Sequence, residues 1–307
     1  MIKGLRIGTR GSPLALAQAR ETCARLAQAH GEKPERFELV VIRTTGDVVQ
    51  DRALSEAGGK GLFTKELDQA LIAGTIDCAV HSSKDLPTHL PGEICVAGYL
   101  PREDARDVFI GRGGARLAEL PRGVLVGTAS LRRAAQVKRL RPDLETVLLR
   151  GNVETRLNKV ESGEVEGSLL ALAGLKRLGL EARASEILPL EQFLPAAGQG
   201  AIGVTCCSGD ARTKALLHPI LDAATGFALA AERAFLAALD GSCRTPIAAH
   251  ARVENAALMF RGEALRSDGS ETYAAKGRGA PADAALIGAN AGHDILLRLP
   301  HGVAGLV

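Results

Sequence analysis

Strand-like and helix-like segments alternate through the first two thirds of this 307-residue chain. Leu5 and Ile7 mark a strand, and the pair Ser12-Pro13 has the residue types that begin a helix. Apolar residues then recur at helical spacing until Gly31. The order repeats in a strand over 37–43, a helix over 65–73 and a strand over 76–80. This βαβ alternation predicts an α/β fold with a doubly wound, mostly parallel sheet.

A second α/β set follows residue 101. Strands are predicted at 108–110, 124–127, 146–149 and 168–172, with helices that start at the caps Ser130 and Asn152. A long Ala-rich helix over 211–239, strands at 247–253 and 257–261 and a last helix near Asp283 complete the chain. Because 307 residues exceed one ordinary core, we predict three domains. They comprise 1–100 with 198–218, then 101–197, and a small α+β domain over 219–307.

Composition and charge exclude several classes of protein. Lys and Arg number 38 against 35 Asp and Glu, a formal charge of +3, and aromatic residues make up 3% with no Trp. This balance does not suggest a polyanion binder, and the few aromatic rings argue against nucleic-acid stacking. The apolar stretch at 223–239 contains Glu232 and Arg233, which argues against a membrane span.

The cysteines and the N-terminal residues indicate a compartment. Six Cys show no C-x-x-C pair and no zinc-like spacing with His, so we expect no metal site. The N-terminal residues lack the apolar segment of a signal peptide. We therefore expect a reduced, cytoplasmic protein. Because no heptad pattern demands a partner, we expect a monomer.

Four predicted strands end in polar segments that carry cations, at residues 9–12, 81–85, 128–133 and 150–156. Ligands of open α/β sheets bind beyond such strand ends, where helix N-termini attract anions. Arg132 and Arg133 in a first helical turn oppose the helix dipole by about 0.3–1 kcal/mol each, a cost that makes sense if an anion arrives. Any one Arg can be a structural charge, but four such sites predict a cleft for a ligand with several carboxylates or phosphates.

Familiar nucleotide motifs are missing from these segments. Residues 58–61 lack the Ser/Thr and the earlier Gly of a P-loop, and residues 8–11 do not form the dinucleotide fingerprint. Nucleotides are therefore disfavoured as ligands.

Asp85 and the segment 44–60 are further candidates for function. Asp85 is either a salt-bridge partner of Lys84 or a carboxylate that stabilises a cationic intermediate or moves a proton. Residues 44–60 are polar and aperiodic, which predicts either a mobile lid or a loop without a role.

Cys243 is the candidate reactive cysteine. It lies in a loop bounded by Gly241 and Pro246, and the adjacent Arg244 favours its thiolate. Cys23, Cys78 and Cys95 lie in apolar periodic segments and are predicted to be small core residues, while Cys206 and Cys207 are assigned no role.

These segments together resemble the porphobilinogen deaminase (hydroxymethylbilane synthase) family. The motifs, in order, are TRGSPLAL at 9–16, GGKGLF at 58–63, AVHSSKD at 79–85, GTASLRR at 127–133, LRGN at 149–152, AGLKRLG at 173–179, GQGA at 198–201 and GSC at 241–243. Each motif is modest alone, but the ordered series is highly specific. Residues 165–167 depart from the Tyr-Asp-Ala common in the family, which puts a strand edge in doubt.

The resemblance implies two domains like a type II periplasmic binding protein and a small α+β domain. It implies a transferase that condenses four porphobilinogen molecules head to tail, releasing ammonia, to give hydroxymethylbilane. The primer would be a dipyrromethane cofactor, joined by a thioether to Cys243. Asp85 matches the catalytic aspartate. The residues that match cofactor-binding positions are Lys84, Ser130, Arg132, Arg133, Arg150 and Gly151; those that match substrate-binding positions are Arg10, Ser12, Arg156, Arg177 and Gln199; and Lys60 and Phe63 match the lid.

Two other classes of function remain open from the residues alone. A non-catalytic binding module for an anionic small molecule would give Cys243 no role. A thiol-dependent hydrolase would need Cys243 as nucleophile and His81 as base, in direct contact.

Overall fold

The computed structural model describes residues 4–45, 63–239, 245–300 and 302–306. The described part contains two five-stranded sheets with α/β connections and one small antiparallel sheet. This arrangement confirms the predicted fold class, whereas the domain boundaries stay a prediction. Most of the predicted lid, including Lys60, and the loop with Cys243 lie outside the described residues.

The first sheet has the strand order β2-β1-β3-β10-β4. Its strands are β1 (Arg6–Thr9), β2 (Glu38–Val41), β3 (Cys78–Ser82), β4 (Ile94–Tyr99) and β10 (Ile202–Cys207). β1 is parallel to β2 and β3, but β10 is antiparallel to β3 and β4. The sheet is thus mixed where the alternation predicts a mostly parallel one, because β10 enters it only after the chain has passed through the second sheet.

Within the described residues, helices α1 (Pro13–His30) and α2 (Lys65–Ile72) connect the strands of the first sheet. As predicted, the Ser12 hydroxyl caps α1 by accepting a hydrogen bond from the Ala15 amide, and Pro13 begins the helix. Gly31 ends it with a φ of 63°, a left-handed conformation that glycine adopts easily. The cap holds Ser12, and with it Arg10, at the carboxyl end of β1.

The second sheet has the order β7-β6-β8-β5-β9. Its strands are β5 (Asp107–Gly111), β6 (Leu125–Gly127), β7 (Glu145–Val147), β8 (Gly167–Ala171) and β9 (Glu186–Ile187), and its helices are α3 (Leu131–Leu140), α4 (Val153–Glu161) and α5 (Leu172–Arg177). Ser130 caps α3 by accepting from the Arg133 amide, and Asn152 caps α4 by accepting from that of Thr155. Both predicted caps are confirmed.

The segment that departs from the family pattern leads into an intact strand. Gly167 pairs with Gly111 on one side and Val126 on the other. A Cβ on Gly167 would lie 2.1 Å from the Phe109 ring. The missing side chain therefore leaves the room that Phe109 fills.

The chain passes between the two sheets twice, after β4 and before β10, and the two crossing segments lie side by side. The Arg102 Nε donates to the Gln199 carbonyl oxygen at 2.8 Å, and the Glu103 amide donates to that of Gly200 at 3.2 Å. These crossing segments place both sets of strand ends around one junction.

The third sheet is antiparallel and consists of β11 (Ile247–Glu254), β12 (Ala257–Leu265) and β13 (Thr272–Gly279). The helix predicted over 211–239 is two helices, α6 (Ala211–Leu217) and α7 (Ala223–Ala238), because Pro219 lies between them. Helix α8 (Ala284–Arg298) packs closely on α7, since a Cβ on Gly288 would lie 1.9 Å from the Ala231 carbonyl oxygen. Strand β13 was not predicted from the sequence.

Across the described ranges, every helix is too short or too polar to span a lipid bilayer.

Candidate active site

The carboxyl ends of β1, β3 and β6 bring three of the predicted cation-bearing segments together. Lys84, after β3, and Arg133, in the first turn after β6, each lie 3.5 Å from the side-chain oxygen of Gln199. Gln199 belongs to the returning crossing segment and is 1% exposed. Arg10, after β1, reaches to within 3.8 Å of Asp85. The strand ends of both sheets therefore face one shared site.

Asp85 lies in a short 3-10 turn, Ser83–Asp85, directly after β3. Its Oδ2 is 3.8 Å from Nη1 of Arg10, and its side chain is 31% exposed. The Arg10 guanidinium lies 4.1 Å from the centroid of the Phe63 ring, which is a cation–π distance. Because Lys84 turns to Gln199 instead, the geometry favours a role for Asp85 beyond that of a partner for Lys84.

The pKa of the Lys84 ammonium is unusually low for a lysine. Burial, and then the positive charge of Arg133, lower the pKa of its ammonium from 10.5 to about 8. Asp85 and Asp107 act in the opposite direction but do not compensate. Lys84 is therefore positively charged at neutral pH and close to losing that charge in mild alkali.

Asp107, which the sequence reasoning missed, is the centre of a buried charge network. Its carboxylate accepts from Arg132 Nη1 at 2.8 Å, from Arg133 Nε at 2.9 Å and Nη2 at 2.6 Å, and from Gln199 Nε2 at 3.0 Å. Burial alone would raise the pKa of Asp107, but the two guanidinium groups and their hydrogen bonds hold it at about 2. The carboxylate is fully buried, so it acts inside the protein and not on solvent.

The ion pairs with Asp107 explain why two arginines can occupy the first turn of α3. Their charge opposes the helix dipole, and the sequence alone suggests an incoming anion as compensation. In the structure Asp107 already supplies a negative charge, and Arg132 and Arg133 are only 4% and 5% exposed. Each guanidinium also donates to a backbone carbonyl, that of Leu194 or Leu169. The assignment of Arg132 and Arg133 to cofactor binding stays a prediction. If it is correct, the two side chains bind the cofactor while they remain paired with Asp107.

We expect Asp107→Asn to destabilise the protein strongly. It would leave two buried guanidinium groups without a counter-charge, a loss of about 3–5 kcal/mol in the free energy of unfolding. Because the pKa of Asp107 is depressed, its stabilising effect is present above pH 4 and is lost as the pH falls towards 2. Urea unfolding curves at pH 7 and pH 3 measure both effects.

The matched control for this variant is Asp143→Asn. Asp143 also pairs with an arginine, Arg141, at 2.7 Å, but its side chain is 20% exposed whereas Asp107 is fully buried. Its loss should shift the urea midpoint far less than the loss of Asp107. Equal shifts for the two variants would contradict a central role for the Asp107 network.

Arg156 is the cation with the least compensated charge at the site. Within the described residues no carboxylate pairs with it, and its Nε donates to the Gly151 carbonyl at 3.0 Å. Burial, then Arg133 and Arg150, lower the pKa of its guanidinium to about 10. Gly151 has a φ of 122°, and a Cβ there would lie 2.6 Å from the Thr155 side chain. The loop therefore presents a guanidinium that is suited to receive an anion.

Arg177 reaches from the second sheet to the first. Its Nε lies 3.1 Å from Glu21 on α1, and its Nη2 donates to the Gly200 carbonyl at 3.0 Å. The side chain is 10% exposed, which leaves a small part of it open to a ligand. Arg177 thus links the two sheets through the crossing segment.

Glu232 is a second residue whose structural role the sequence did not predict. It is fully buried on α7, forms an ion pair with Arg102 at 2.6 Å, and accepts from the amides of Gly198 and Ala251 at 2.7 Å each. Glu232 therefore links β11 of the third sheet to both crossing segments through its hydrogen bonds and ion pair. The available signal was the same for Asp107 and Glu232: a single acid inside an otherwise apolar strand or helix.

His81 does not have the surroundings of a general base. Its Nε2 lies 3.0 Å from the Thr205 hydroxyl, and burial lowers its pKa to about 4. A base with so low a pKa would be a weak activator of a thiol at neutral pH. The geometry therefore favours a structural role for His81 over the hydrolase alternative.

Two family models together match most of the chain. One, described as "Porphobilinogen deaminase, dipyromethane cofactor binding domain", matches residues 5–215. The other, "Porphobilinogen deaminase, C-terminal domain", matches residues 227–296. The chain belongs to the porphobilinogen deaminase family.

Close relatives agree with this family. A porphobilinogen deaminase of Nitrobacter winogradskyi is 57% identical over 289 residues, which cover 94% of this chain and 92% of that protein. A porphobilinogen deaminase of Nitrobacter hamburgensis is 56% identical with the same coverage. The resemblance inferred from the ordered motifs is confirmed.

Among solved structures, the VFT2 domain of BvgS from Bordetella pertussis has a TM-score of 0.43 and 14% identity, over 71% of this chain and 86% of that one. A TRAP periplasmic solute binding protein from Pseudomonas putida, solved with D-glucuronate, has a TM-score of 0.38 and 8% identity, over 71% and 77%. These likenesses are too distant to carry a functional argument.

Proposed function

We propose that this protein is the transferase that joins four porphobilinogen molecules head to tail, releasing ammonia, to give the linear tetrapyrrole hydroxymethylbilane. It would act as a cytoplasmic monomer in tetrapyrrole and haem biosynthesis, with neither nucleic acid nor membrane as partner. Family membership supports the reaction, and the charges of the site support the substrate.

The observation that carries the proposal is the half-buried Arg156, whose charged neighbours include Arg133 and Arg150 and no carboxylate among the described residues. A desolvated cation that has only cations as charged neighbours raises the free energy of the folded protein unless an anion binds and balances its charge. Porphobilinogen carries one acetate and one propionate group, and arginine binds such carboxylates bidentately. Arg10, Ser12, Arg177 and Gln199 are the other residues proposed to hold the substrate.

The donors around the junction also fit a dipyrromethane, since it carries the same acidic groups. Lys84, Ser130, Arg150 and Gly151 would hold it, together with those faces of Arg132 and Arg133 that Asp107 does not occupy. Attached through a thioether at Cys243, it supplies the acceptor pyrrole and makes chain growth effectively intramolecular.

Asp85 would act on the substrate by electrostatics. Loss of ammonia from the aminomethyl group leaves a cation on the pyrrole, and a fixed carboxylate stabilises that charge as it develops. Arg10, held between Asp85 and the Phe63 ring, would orient the carboxylate, which remains 31% exposed. Lys84 and Arg156 bind carboxylates away from the reacting carbon, so their charges do not oppose the cation directly.

Intact mass spectrometry of the purified protein tests this proposal. We expect a single covalent pyrrole adduct that survives denaturation, together with hydroxymethylbilane formation from porphobilinogen. An unmodified chain with full activity would exclude a covalent primer. An unmodified chain without activity would favour the non-catalytic binding module.

The pKa of Lys84 predicts a pH dependence for this reaction. The ammonium binds carboxylates only while it is protonated, and its proton leaves near pH 8. We expect kcat/KM to fall by roughly tenfold for each pH unit above 8. In Lys84→Arg the charge persists at high pH, so this fall should disappear even if the overall rate is lower. The same alkaline limb in both proteins would show that another group is responsible.

A further inference from the structure

The third sheet has a basic outer face that the proposed reaction does not use. Helices α7 and α8 cover its inner face, where Gly277 lies against Ile287 of α8. Part of the outer face contacts helix α3, which packs with the second sheet, because Arg139 of α3 pairs with Glu263 of β12 at 3.0 Å. The remaining part bears two rows of side chains, His250–Arg261–Lys276 and Arg252–Met259–Arg278, which the strand register places directly opposite one another.

This basic face, defined by those six residues, contains too few acids to balance it. Glu254 pairs with Arg252 at 3.0 Å, and Glu263 is 4.0 Å from Arg261 but closer to Arg139. Among the described residues, neither Lys276 nor Arg278 has an ion-pair partner, and both are exposed. Like charges opposite each other destabilise a sheet, so the arrangement has a cost that a bound anion would offset.

Protection of sheet edges does not account for the basic face. Lysines on edge strands commonly prevent edge-to-edge pairing, and this could explain Lys276 and Arg278 on β13. Arg261, however, lies on the central strand β12, where there is no edge to protect. Its charge instead lies directly opposite that of Lys276, while its other neighbour, His250, is neutral at neutral pH because burial lowers the pKa of that imidazole to about 4.

The shape and spacing of the basic face suit an acidic small molecule. It surrounds a shallow cavity of about 390 Å³, with Met259 as an apolar contact between the cations. Neighbours within a row are about 5 Å apart and the rows about 7 Å apart, a spacing that several short carboxylate arms on linked rings can match. Phe260 lines the cavity but is only 1% exposed, and the His250 ring is half-buried, so neither offers an open face for base stacking, which disfavours a nucleic acid.

We propose that the basic face is a second binding site for a polycarboxylated pyrrole chain, the chemical class of the product. The inference rests on the proposed function, because that reaction turns a pyrrole with two carboxylates into a chain with two on every ring. A face with several separate cations binds such a chain more tightly than a single pyrrole, since its contacts act together. The linear product would thus have a place to bind outside the junction where it is formed.

Carbodiimide coupling tests this site directly, because it joins a bound carboxylate to a lysine amine. The probe is uroporphyrin, a stable tetrapyrrole with two carboxylates on each ring, added to the holoenzyme at moderate salt before proteolysis and peptide mapping. We expect a probe adduct on Lys276 that porphobilinogen at the same concentration competes for poorly. Arg252→Gln/Arg278→Gln should lower the adduct yield by about tenfold or more, because each lost charge weakens a charge-assisted contact.

The matched control is Arg112→Gln/Arg122→Gln, which removes two exposed cations whose ion-pair partners, Glu166 and Asp143, border strands of the second sheet, and it should leave the yield unchanged. Turnover should be normal in both double variants, since neither touches the junction. No adduct on Lys276, an undiminished adduct in Arg252→Gln/Arg278→Gln, or displacement of the probe by an acidic peptide and not by tetrapyrroles would overturn the proposal. Failure of the proposed function would appear separately, as the absence of the covalent adduct and of product.

Discussion

In Asp85→Asn we expect turnover to fall by about a hundredfold or more, with folding and the covalent adduct intact. Asn has the size of Asp but lacks the negative charge, and the loss of one preorganised electrostatic group has effects on this scale. The site around it should persist, because Arg10 keeps its contact with the Phe63 ring 4.1 Å away. Rates of product formation and the intact mass of the variant measure the two parts of this expectation.

Two further variants separate the charge of Asp85 from its position. Asp85→Glu keeps the charge and moves it, so it should retain more activity than Asp85→Asn. Asp77→Asn is the matched control, since Asp77 pairs with Arg6 at 2.9 Å at the opposite end of β3. It should leave turnover within about twofold of normal, because its partner Arg6 begins β1, at the opposite end of that strand from Arg10. Normal turnover in Asp85→Asn would mean that Asp85 is only a partner for Arg10.

In Cys243→Ser we expect a folded protein with no covalent pyrrole and no sustained turnover. Serine has no sulfur, so no thioether can form, and its hydroxyl is a much weaker nucleophile than a thiolate, so no ether should replace it. Without a tethered acceptor the first condensation becomes bimolecular, which costs about a hundredfold or more in rate. Ehrlich's reagent, which colours linked pyrroles, and intact mass spectrometry should both be negative.

The control for this variant is Cys207→Ser. The Cys207 thiol is half-buried and donates to the Leu71 carbonyl at 3.3 Å, so it already has a structural partner. This variant should keep the pyrrole colour and the adduct mass. A colour response of normal strength from Cys243→Ser would refute the assignment of the attachment residue, whatever its effect on rate.

The sequence determined the features that depend on neighbouring residues. Helix starts at Ser12, Ser130 and Asn152 are correct because a cap needs only its own side chain and the amide three residues later. The ordered motifs sufficed for the family, and the strand-end rule located Lys84, Asp85 and Arg10 together. These inferences use local chemistry and the known geometry of α/β sheets, so a single chain is enough to make them.

Tertiary structure decided which charges meet. Asp107 lies 25 residues before Arg132 in the chain, and Glu232 lies 130 residues after Arg102, so no local pattern could predict either ion pair. The same holds for the antiparallel entry of β10 and for β13, which are set by long-range strand pairing. Arg133 and Arg156 look alike in sequence, yet burial against Asp107 neutralises one, and the other keeps an uncompensated charge. That difference arises because electrostatic energy depends on distance and desolvation, which only the folded chain defines.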